Sequence, residues 1–254
     1  MMLIAECGVN WRTLSDLFIM FMKAKEAGAD AVKVQLFNEE IIEQMPPNPM
    51  LRARLKTLIL NRMDVKYLES MADTIGIKLI ATPMYPEAVS GAAWLSDYIK
   101  IRYADRYNDA ILTQAVLTGR HLLISCDLEY LGPHLPGLIE DYKEKTFMYC
   151  QPGYPPDKLV IPTNLGTVFK GYSNHFRSVD PPLLAHVMGC EYIEVHVYNE
   201  DAVGMAPPEY DAIGNLFNRP TDVIDYKVSL SFAQLAELKK RMEHLRPWVS
   251  LKGV

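Results

Sequence analysis

The sequence has few cysteines and no long apolar segment. Its four cysteines, Cys7, Cys126, Cys150 and Cys190, are scattered singly, and no two of them form a CxxC pair. This spacing disfavours a zinc ribbon or a dithiol redox motif and suits reduced thiols in a cytoplasm. No apolar run reaches the roughly 18 residues of a membrane-spanning helix, and the first residues turn acidic too early for a signal peptide. We therefore expect a cytoplasmic protein with no membrane partner.

Positive charge and glycine-rich loops are also scarce. Lys and Arg number 26 against 31 Asp and Glu, which gives a net charge of −5, and there is no basic run. A nucleic-acid partner is therefore not indicated. No glycine-rich phosphate loop follows the first predicted strand, which weakens a dinucleotide-binding interpretation.

What the sequence does contain is an alternation of short apolar runs and amphipathic segments. Eight runs have the length and apolar character of strands buried on both faces: residues 3–7, 31–37, 78–82, 98–102, 121–126, 146–150, 167–173 and 192–197. Asp64 and Ser231 are predicted helix N-caps, and Gly28 and Gly76 mark predicted helix ends. Eight βα units predict a (β/α)8 TIM barrel as a single domain over residues 1–254, with a doubly wound open sheet as the alternative.

The candidate functional residues of such a barrel are polar side chains at the carboxyl ends of its strands. Two long connections, residues 38–63 and 198–228, also follow predicted strands and belong to that face. Nearly every strand supplies a candidate: Glu6, Lys33, Gln35, Thr82, Lys100, Asp105, Ser125, Gln151, Ser173, His175 and His196.

Two lysines stand inside otherwise apolar strands, which is unusual because a buried ammonium group is costly unless it is paired. Alternation with the neighbouring apolar residues turns Lys33, Gln35 and Lys100 towards the barrel axis. Lysines that converge with hydroxyl groups indicate a pocket for a small phosphate or carboxylate; the hydroxyls are those of Thr82, Ser125 and Ser173. The alternative is that the lysines form core ion pairs with Glu6, Asp105 or Glu194.

Two of the six histidines end the last two predicted strands. His175 ends "GYSNH" and His196 ends "YIEVH", and in a closed barrel strand eight also lies beside strand one, which carries Glu6. Two neutral imidazoles with open positions between them suit a catalytic divalent metal ion. The alternative for each histidine is a hydrogen-bonded place in the core.

Several short motifs occur in a fixed order along nearly the whole chain: "IAECGVN", "AKEAGADAVKVQLF", "KLIATPMYPEAV", "YIKI", "TGRHLLIS", "YCQPGYPP", "GYSNH" and "YIEVHV". With this ordered set the chain resembles the catalytic barrel of the N-acetylneuraminate (sialic acid) synthase family. The resemblance implies condensation of phosphoenolpyruvate with an N-acyl aminosugar aldehyde, giving a nonulosonic-type keto acid and phosphate. It implies a manganese or magnesium ion on His175 and His196, an aminosugar contact from Gln35, and phosphoenolpyruvate contacts from Lys33, Thr82, Lys100, Ser125 and Ser173.

The chain also departs from the family pattern. Where the family reads Lys-Ile-x-Ser-x-Glu, this chain reads "KIRYAD", so Tyr103 replaces a phosphate-binding serine and Asp105 replaces the catalytic glutamate. The family's Ser-Thr-Gly is "SCD", and its asparagine after strand six is Pro152. The Gly-Pro-Asp sugar contact is not recognisable in residues 199–212, where Asp201 or Asp211 would substitute. We expect no carboxyl-terminal antifreeze-like domain, and a homodimer is left open.

Three functions follow from these patterns. The first is a synthase of this kind, with Glu6 beside the metal and Asp105 as the general base for the attacking water. The second is a Schiff-base aldolase that uses Lys33 or Lys100. The third is a non-catalytic barrel that binds a sugar acid or phosphate.

Overall fold

Eight parallel strands form a closed barrel in the protein, whose structure is a computed structural model. The structure describes residues 1–45, 47–132, 135–201 and 223–245, and the backbone at 209–210 and 216–217. The barrel strands are β1 (Met2–Gly8), β2 (Ala31–Leu36), β3 (Lys78–Pro83), β4 (Tyr98–Ile101), β5 (His121–Cys126), β6 (Lys145–Cys150), β7 (Gly171–Asn174) and β8 (Tyr192–Tyr198). Each strand pairs with the next, and β8 pairs with β1. The predicted TIM barrel is confirmed, and the open sheet is excluded.

Three short strands complete the sheets. An antiparallel pair consists of β9 (Glu209–Tyr210) and β10 (Leu216–Phe217), and β11 (Ser229–Ser231) runs parallel to the end of β8. The register places Ser229 opposite His196. The segment that precedes the last helix is thereby brought to the carboxyl end of the barrel.

Helices surround the barrel. They are α1 (Leu14–Glu26), α2 (Glu39–Gln44), α3 (Pro49–Lys56), α4 (Arg62–Ile75), α5 (Ala88–Leu95), α6 (Asp109–Leu117), α7 (Gly137–Asp141), α8 (Asp180–Val187) and α9 (Phe232–Leu245), with 3-10 turns at Tyr103–Asp105 and Tyr226–Val228. The long connection after β2 contains α2 and α3. None of the helices in the described part of the chain combines the length and apolar content needed to cross a membrane.

The helix boundaries follow capping chemistry, with one correction to the sequence-based assignment. Asn61, not Asp64, is the N-cap of α4: its side-chain oxygen accepts from Asp64 N at 3.1 Å, while the Asp64 carboxylate accepts from Asn61 N at 2.9 Å. Asp64 is therefore the third residue of a capping box. The left-handed Gly76 ends α4 as predicted, and Ser231 exchanges two hydrogen bonds with Gln234 at the start of α9.

The seventh strand begins at Gly171, so the predicted start at residue 167 is wrong. The preceding residues fold into a turn in which Val168 N and Phe169 N both donate to Asn164 O, at 3.1 and 3.2 Å. Gly166 in this turn has a positive φ of 82° and lies against the end of α8, where an added Cβ would stand 1.7 Å from Met188 O. Only glycine fits there, and the turn takes the backbone hydrogen bonds that a longer strand would have used.

An apolar layer inside the barrel sets the position of the functional face. Ile4, Ala31, Ile80, Leu123 and Met148 form a buried cluster around the axis. Since side chains on one face of a strand recur every second residue, the next inward positions belong to Glu6, Lys33, Thr82, Ser125 and Cys150. The barrel axis therefore changes from apolar to polar within two residues, and the polar layer lies towards the carboxyl ends of the strands.

Candidate active site

A cavity of about 480 Å³ opens at the carboxyl end of the barrel. All of the predicted site residues except Glu6 and Asp105 line it: Lys33, Gln35, Thr82, Lys100, Ser125, Gln151, Ser173, His175 and His196. Apolar side chains from the connection that contains α2 and α3 complete one wall, among them Met45, Leu51 and Leu55. A pocket with an apolar wall and converging polar groups is the usual form of a small-molecule site.

Strand register explains why these residues meet. Glu6 on β1 lies opposite Lys33 on β2 and opposite His196 on β8. Ser173 on β7 likewise lies opposite Glu194 on β8. Glu6 is fully buried beneath the cavity, where its carboxylate accepts a hydrogen bond from Gln35 Nε2 at 3.0 Å.

The two inward lysines are buried and share two carboxylates. Lys33 is in direct contact with Glu6 and lies 3.9 Å from Glu194, and Lys100 Nζ lies 3.8 Å from the other oxygen of Glu194. The predicted core ion pairs therefore exist with Glu6 and Glu194, whereas Asp105 pairs with neither lysine. Because the ion-paired lysines also line the cavity, the two interpretations, core ion pairs and a pocket for a small anion, both apply to them.

The charges of this layer shift the pKa values in different directions. Burial acts to lower the pKa of Lys33, but Glu194 and Glu6 outweigh it and the pKa is raised. For Lys100, burial prevails over the attraction of Glu194 and the pKa is lowered. Burial acts to raise the pKa of Glu194, but Lys100 and Lys33 outweigh it and lower the value to about 2. Glu194 is therefore a carboxylate at neutral pH.

Hydroxyl groups connect the charged residues across the cavity floor. Lys33 Nζ donates to Thr82 Oγ1 at 2.8 Å. Lys100 Nζ donates to Ser125 Oγ at 2.6 Å, Ser125 Oγ donates to Ser173 Oγ at 3.1 Å, and Ser173 Oγ donates to Glu194 Oε1 at 3.1 Å. This series of hydrogen bonds joins β4 to β8 through β5 and β7 and fixes the direction of each hydroxyl.

The two histidines face each other at the edge of the cavity. Their ring centroids are 5.4 Å apart, and His175 Nδ1 lies 3.7 Å from Cys150 Sγ. Burial, with a contribution from His196, lowers the pKa of His175 to about 3, so this imidazole is neutral at physiological pH. His196 Nδ1 is buried without a hydrogen-bond partner in the described part of the chain. Within the described residues, no group of three or more His, Cys, Asp or Glu side chains is placed to hold a metal ion.

Asp225 and Tyr154 are cavity residues that the sequence analysis missed. Asp225 Oδ2 lies 3.6 Å from His196 Nδ1, and Asp225 N donates to Asn10 Oδ1 at 2.9 Å. The half-exposed Tyr154 ring packs 4.8 Å from the His175 ring, and its hydroxyl lies near the Asp225 carboxylate. The pKa of Tyr154 is raised by desolvation of its hydroxyl and by this carboxylate. The sequence feature that could have indicated Asp225 is its position as a carboxylate just before the polar "SLS" strand, β11.

The predicted substitutes for a sugar-binding aspartate do not fill that place. Asp201 is exposed, pairs with Lys23 and does not line the cavity. Asp211 lies outside the described residues.

Two residues that depart from the family pattern, Tyr103 and Asp127, contact each other beside β4 and β5. The Tyr103 hydroxyl donates to the Asp127 carboxylate, and the Arg106 guanidinium stacks on the Tyr103 ring at 3.7 Å. Burial and the hydrogen bond to Asp127 raise the pKa of Tyr103. Asp105 does not line the cavity; its two carboxylate oxygens accept from Arg102, which does. Pro152 also lines the cavity.

Comparison with known proteins identifies the family. The sequence matches the NeuB family over residues 20–206, most of the chain. The chain belongs to the NeuB family. The resemblance inferred from the ordered motifs is therefore confirmed.

Relatives of this NeuB-family chain include both characterised and uncharacterised proteins. It is 27% identical over 227 residues to the N,N'-diacetyllegionaminic acid synthase of Legionella pneumophila, covering 76% of this chain and 63% of that protein. It is 26% identical over 208 residues to an uncharacterised protein of Methanocaldococcus jannaschii, covering 76% of this chain and 61% of that protein. The chain thus spans less than two thirds of the length of either curated relative.

The NeuB-family barrel also superposes on a solved structure. The N-acetylneuraminic acid (sialic acid) synthetase of Leptospira borgpetersenii, in complex with citrate, matches with a TM-score of 0.79 at 22% identity, over 99% of this chain and 87% of that one. At this identity the likeness concerns the fold.

Proposed function

We propose that this chain is a sugar-acid synthase that condenses phosphoenolpyruvate with the aldehyde of an N-acyl aminosugar or a related aldose, releasing phosphate and forming a nonulosonic-type keto acid. One observation carries the proposal: in a NeuB-family barrel, two buried lysines, three hydroxyl groups and two facing histidines converge on a single cavity. Cations and hydroxyls suit the phosphate and carboxylate of phosphoenolpyruvate, and the histidines suit an ion beside the aldehyde. The Legionella relative, named as a synthase of legionaminic acid, supports this class of reaction.

In this proposal the lysines and hydroxyls bind phosphoenolpyruvate and orient it. The raised pKa of Lys33 keeps its ammonium group charged beside Glu6, and Lys100 presents its side-chain nitrogen beside Glu194. Thr82, Ser125 and Ser173 are already held by hydrogen bonds, so little freedom is lost when the ligand binds. The bound geometry would bring the methylene carbon of phosphoenolpyruvate towards the histidine side of the cavity.

We propose that His175 and His196 hold a divalent metal ion, manganese or magnesium. The residues fit such an ion, because His175 is neutral and His196 Nδ1 is a buried nitrogen without a hydrogen-bond partner among the described residues. Asp225 stands 3.6 Å from that nitrogen and adds negative charge. When bound, the ion would act as a Lewis acid on the aldehyde carbonyl.

The reaction then needs a base for water. The methylene carbon bonds to the aldehyde carbon, and the aldehyde oxygen takes up a proton and becomes a hydroxyl group. Water adds to the cationic carbon that results and gives up one proton. The carbon–oxygen bond to phosphate then breaks, the remaining proton of the added hydroxyl leaves with phosphate, and the ketone forms. Asp225 lines the cavity without a lysine or arginine partner in the described residues, so we assign it the proton of that water. Asp105, the base predicted from the sequence, would first have to leave Arg102.

Metal-dependent phosphate release tests the proposal. The purified chain is incubated with phosphoenolpyruvate, Mn²⁺ and a panel of N-acyl aminosugars, and inorganic phosphate is measured. We expect release with at least one sugar, abolished by EDTA and absent from a variant that combines His175→Ala with His196→Ala. No release across the panel, together with no Mn²⁺ binding, would favour the non-catalytic barrel instead.

A Schiff-base aldolase is favoured by one observation, the lowered pKa of Lys100. A lysine with a lowered pKa forms imines with carbonyl compounds more readily. Lys100 nevertheless donates to Ser125 Oγ and Ile101 O and lies 3.8 Å from Glu194, so its nitrogen is already held by three neighbours. Borohydride reduction with pyruvate discriminates, because a stable adduct on Lys100, found by mass spectrometry, would establish the aldolase.

A further inference from the structure

We propose that Arg102 is an anion-binding residue at the rim of the cavity and that Asp105 is the positioning residue that aims it. The identity of the ligand rests on the proposed function. Arg102 adds to that site a contact for a phosphate or carboxylate group. Both residues belong to the segment "KIRYAD". The Arg102 side chain lines the cavity, whereas the Asp105 side chain does not.

The position of Arg102 follows from the strand. It stands two residues after Lys100 at the end of β4, so the alternation of side chains turns it to the same side, nearer the cavity mouth. About a third of its side chain, 32%, is exposed. The guanidinium group therefore lies where a bound ligand meets solvent, above the buried lysines.

The Arg102–Asp105 contact leaves one edge of the guanidinium unused. Nε and Nη2 donate to the two carboxylate oxygens of Asp105, the latter at 3.2 Å. Nη1 has no partner within the described residues. A planar guanidinium held along one edge presents its remaining N–H donors in a fixed direction, which is the arrangement that binds phosphate and carboxylate groups well.

The turn that carries Asp105 keeps this pair in place. Asp105 N donates to Arg102 O at 3.0 Å, and Asp105 O accepts from Asn108 N at 2.9 Å, which ties the turn to the first residues before α6. The Asp105 side chain is buried, with 9% of it exposed. With both oxygens taken by guanidinium donors, this carboxylate is arranged to hold a cation and not to meet a substrate proton.

The neighbouring tyrosine explains why the cavity needs this arginine. Tyr103 occupies the place where the resemblance expects a phosphate-binding serine, but its hydroxyl is already engaged by Asp127. The deeper ammonium groups of Lys33 and Lys100 are matched by Glu6 and Glu194. A ligand with a doubly charged phosphate therefore calls for another donor at this corner, and Arg102 is the adjacent residue that supplies it.

Binding experiments test the proposal without requiring turnover. The dissociation constants of phosphoenolpyruvate and of inorganic phosphate are measured by isothermal titration calorimetry for wild type, Arg102→Met, Asp105→Asn and the double variant. Loss of a charge-assisted contact is expected to weaken binding of both by roughly tenfold or more in Arg102→Met. Asp105→Asn should weaken it less, Asp105→Glu should restore it in part, and the double variant should resemble Arg102→Met because the two residues act as a unit.

Controls separate the anion site from a folding defect. Arg120→Met removes another arginine that pairs with an aspartate, Asp97, away from the cavity, and is expected to leave both constants unchanged. Arg102→Met leaves the Asp105 carboxylate buried without its partner, and this could unfold the variant. The double variant removes both charges, so it avoids that defect and still reports on anion binding. Thermal melting of each variant checks this directly.

A second measurement determines which ligand carries the anionic group that Arg102 binds. If phosphate binding is unaffected in Arg102→Met but KM rises only for a phosphorylated aldose and not for its neutral counterpart, Arg102 binds an anionic group of the acceptor, and the anion site stands. Unchanged binding and unchanged KM for all ligands would overturn it. So would loss of kcat in Asp105→Asn with unchanged phosphoenolpyruvate binding, since that result would make Asp105 a base. Loss of phosphate binding in a chain without turnover would preserve the anion site and refute the synthase.

Discussion

Two corners of one cavity differ in how their polar groups are satisfied. The β7–β8 corner, formed by Ser173, His175, Glu194 and His196, contains buried polar atoms without hydrogen-bond partners among the described residues, His196 Nδ1 and Glu194 Oε2. In the β4–β5 corner, formed by Arg102, Tyr103, Asp105 and Asp127, the side chains form two pairs, Arg102 with Asp105 and Tyr103 with Asp127, and the neighbouring Arg106 Nε is the buried atom left without a partner among the described residues. The first corner thus has unpaired hydrogen-bonding atoms that a ligand can contact, whereas most polar atoms of the second corner are already paired with one another.

The difference indicates that the β7–β8 corner binds the ligand and that the β4–β5 corner mainly supports the cavity wall. Unsatisfied buried groups are costly and are retained where a ligand satisfies them. Groups that satisfy each other stabilise the wall and leave only selected donors, here the outer edge of Arg102, for a ligand. The Ser125–Ser173 hydrogen bond joins the two corners.

The largest effect is expected at the β7–β8 corner from the histidines. His175→Ala or His196→Ala removes one of two metal ligands, and loss of Lewis-acid assistance worth several kcal/mol should lower phosphate release by about a thousandfold. Mn²⁺ titration should show weakened binding in both variants. His244→Ala, which changes an exposed histidine on α9, is the matched control. Undiminished Mn²⁺ binding in the double histidine variant would remove this corner from the proposed metal site.

The next effect concerns stability. Glu194→Gln leaves Lys100 without its carboxylate and Lys33 with only Glu6, and breaking a buried ion network costs about 3–5 kcal/mol of unfolding free energy. Urea denaturation measures the change. Glu191→Gln, which breaks an exposed pair with Lys170 at 3.5 Å, should cost less than about 1 kcal/mol.

The same carboxylate gives a pH dependence with a definite sign. The folded pKa of Glu194 is lowered to about 2, below the roughly 4.3 of an unfolded glutamate. Its contribution to stability is therefore fully present above the unfolded pKa and is lost as pH falls through that value towards 2. Wild type should lose stability in this window more steeply than Glu194→Gln. Parallel curves for the two proteins would show that Glu194 is not stabilised as a carboxylate.

The two corners also differ in how far the sequence predicted them. Alternation along β2 and β4 was sufficient to turn Lys33, Gln35 and Lys100 inward, because a strand repeats every two residues. The histidines at the ends of β7 and β8 followed from strand order in a closed barrel. These features are periodic or topological, so a single sequence carries them.

The remaining features depend on contacts outside regular structure. Asp105 follows β4 within a 3-10 turn, where no simple period shows that its carboxylate meets Arg102. Tyr103 and Asp127 were noted as separate departures, and their mutual hydrogen bond joins residues 24 positions apart. Asp225 reaches the cavity because β11 pairs with β8, a long-range contact with no local signature.

A smaller effect is expected where the corners join. Ser125→Ala removes a donor to Ser173, and Ser173→Ala removes a donor to Glu194. Each should cost about 1 kcal/mol of stability, with the double variant costing less than the sum because both belong to one network. Denaturant unfolding of the four proteins gives the coupling energy. Strictly additive values would show that the serines act independently, and Ser90→Ala, at an exposed position, serves as control.

The smallest effect is expected from Tyr103→Phe in the β4–β5 corner. The variant keeps the ring that stacks with Arg106 and removes the hydrogen bond to Asp127, which Arg106 still faces at 3.8 Å. Stability should fall by about 1 kcal/mol, measured by urea unfolding beside the control Tyr107→Phe, whose ring is partly exposed. The dissociation constant of phosphoenolpyruvate should stay within about twofold of wild type, because a hydroxyl that already donates to a carboxylate has no proton left for a phosphate oxygen. Weakened phosphoenolpyruvate binding with unchanged stability would mean that Tyr103 turns from Asp127 to the ligand, and this corner would then bind substrate as directly as the histidine corner does.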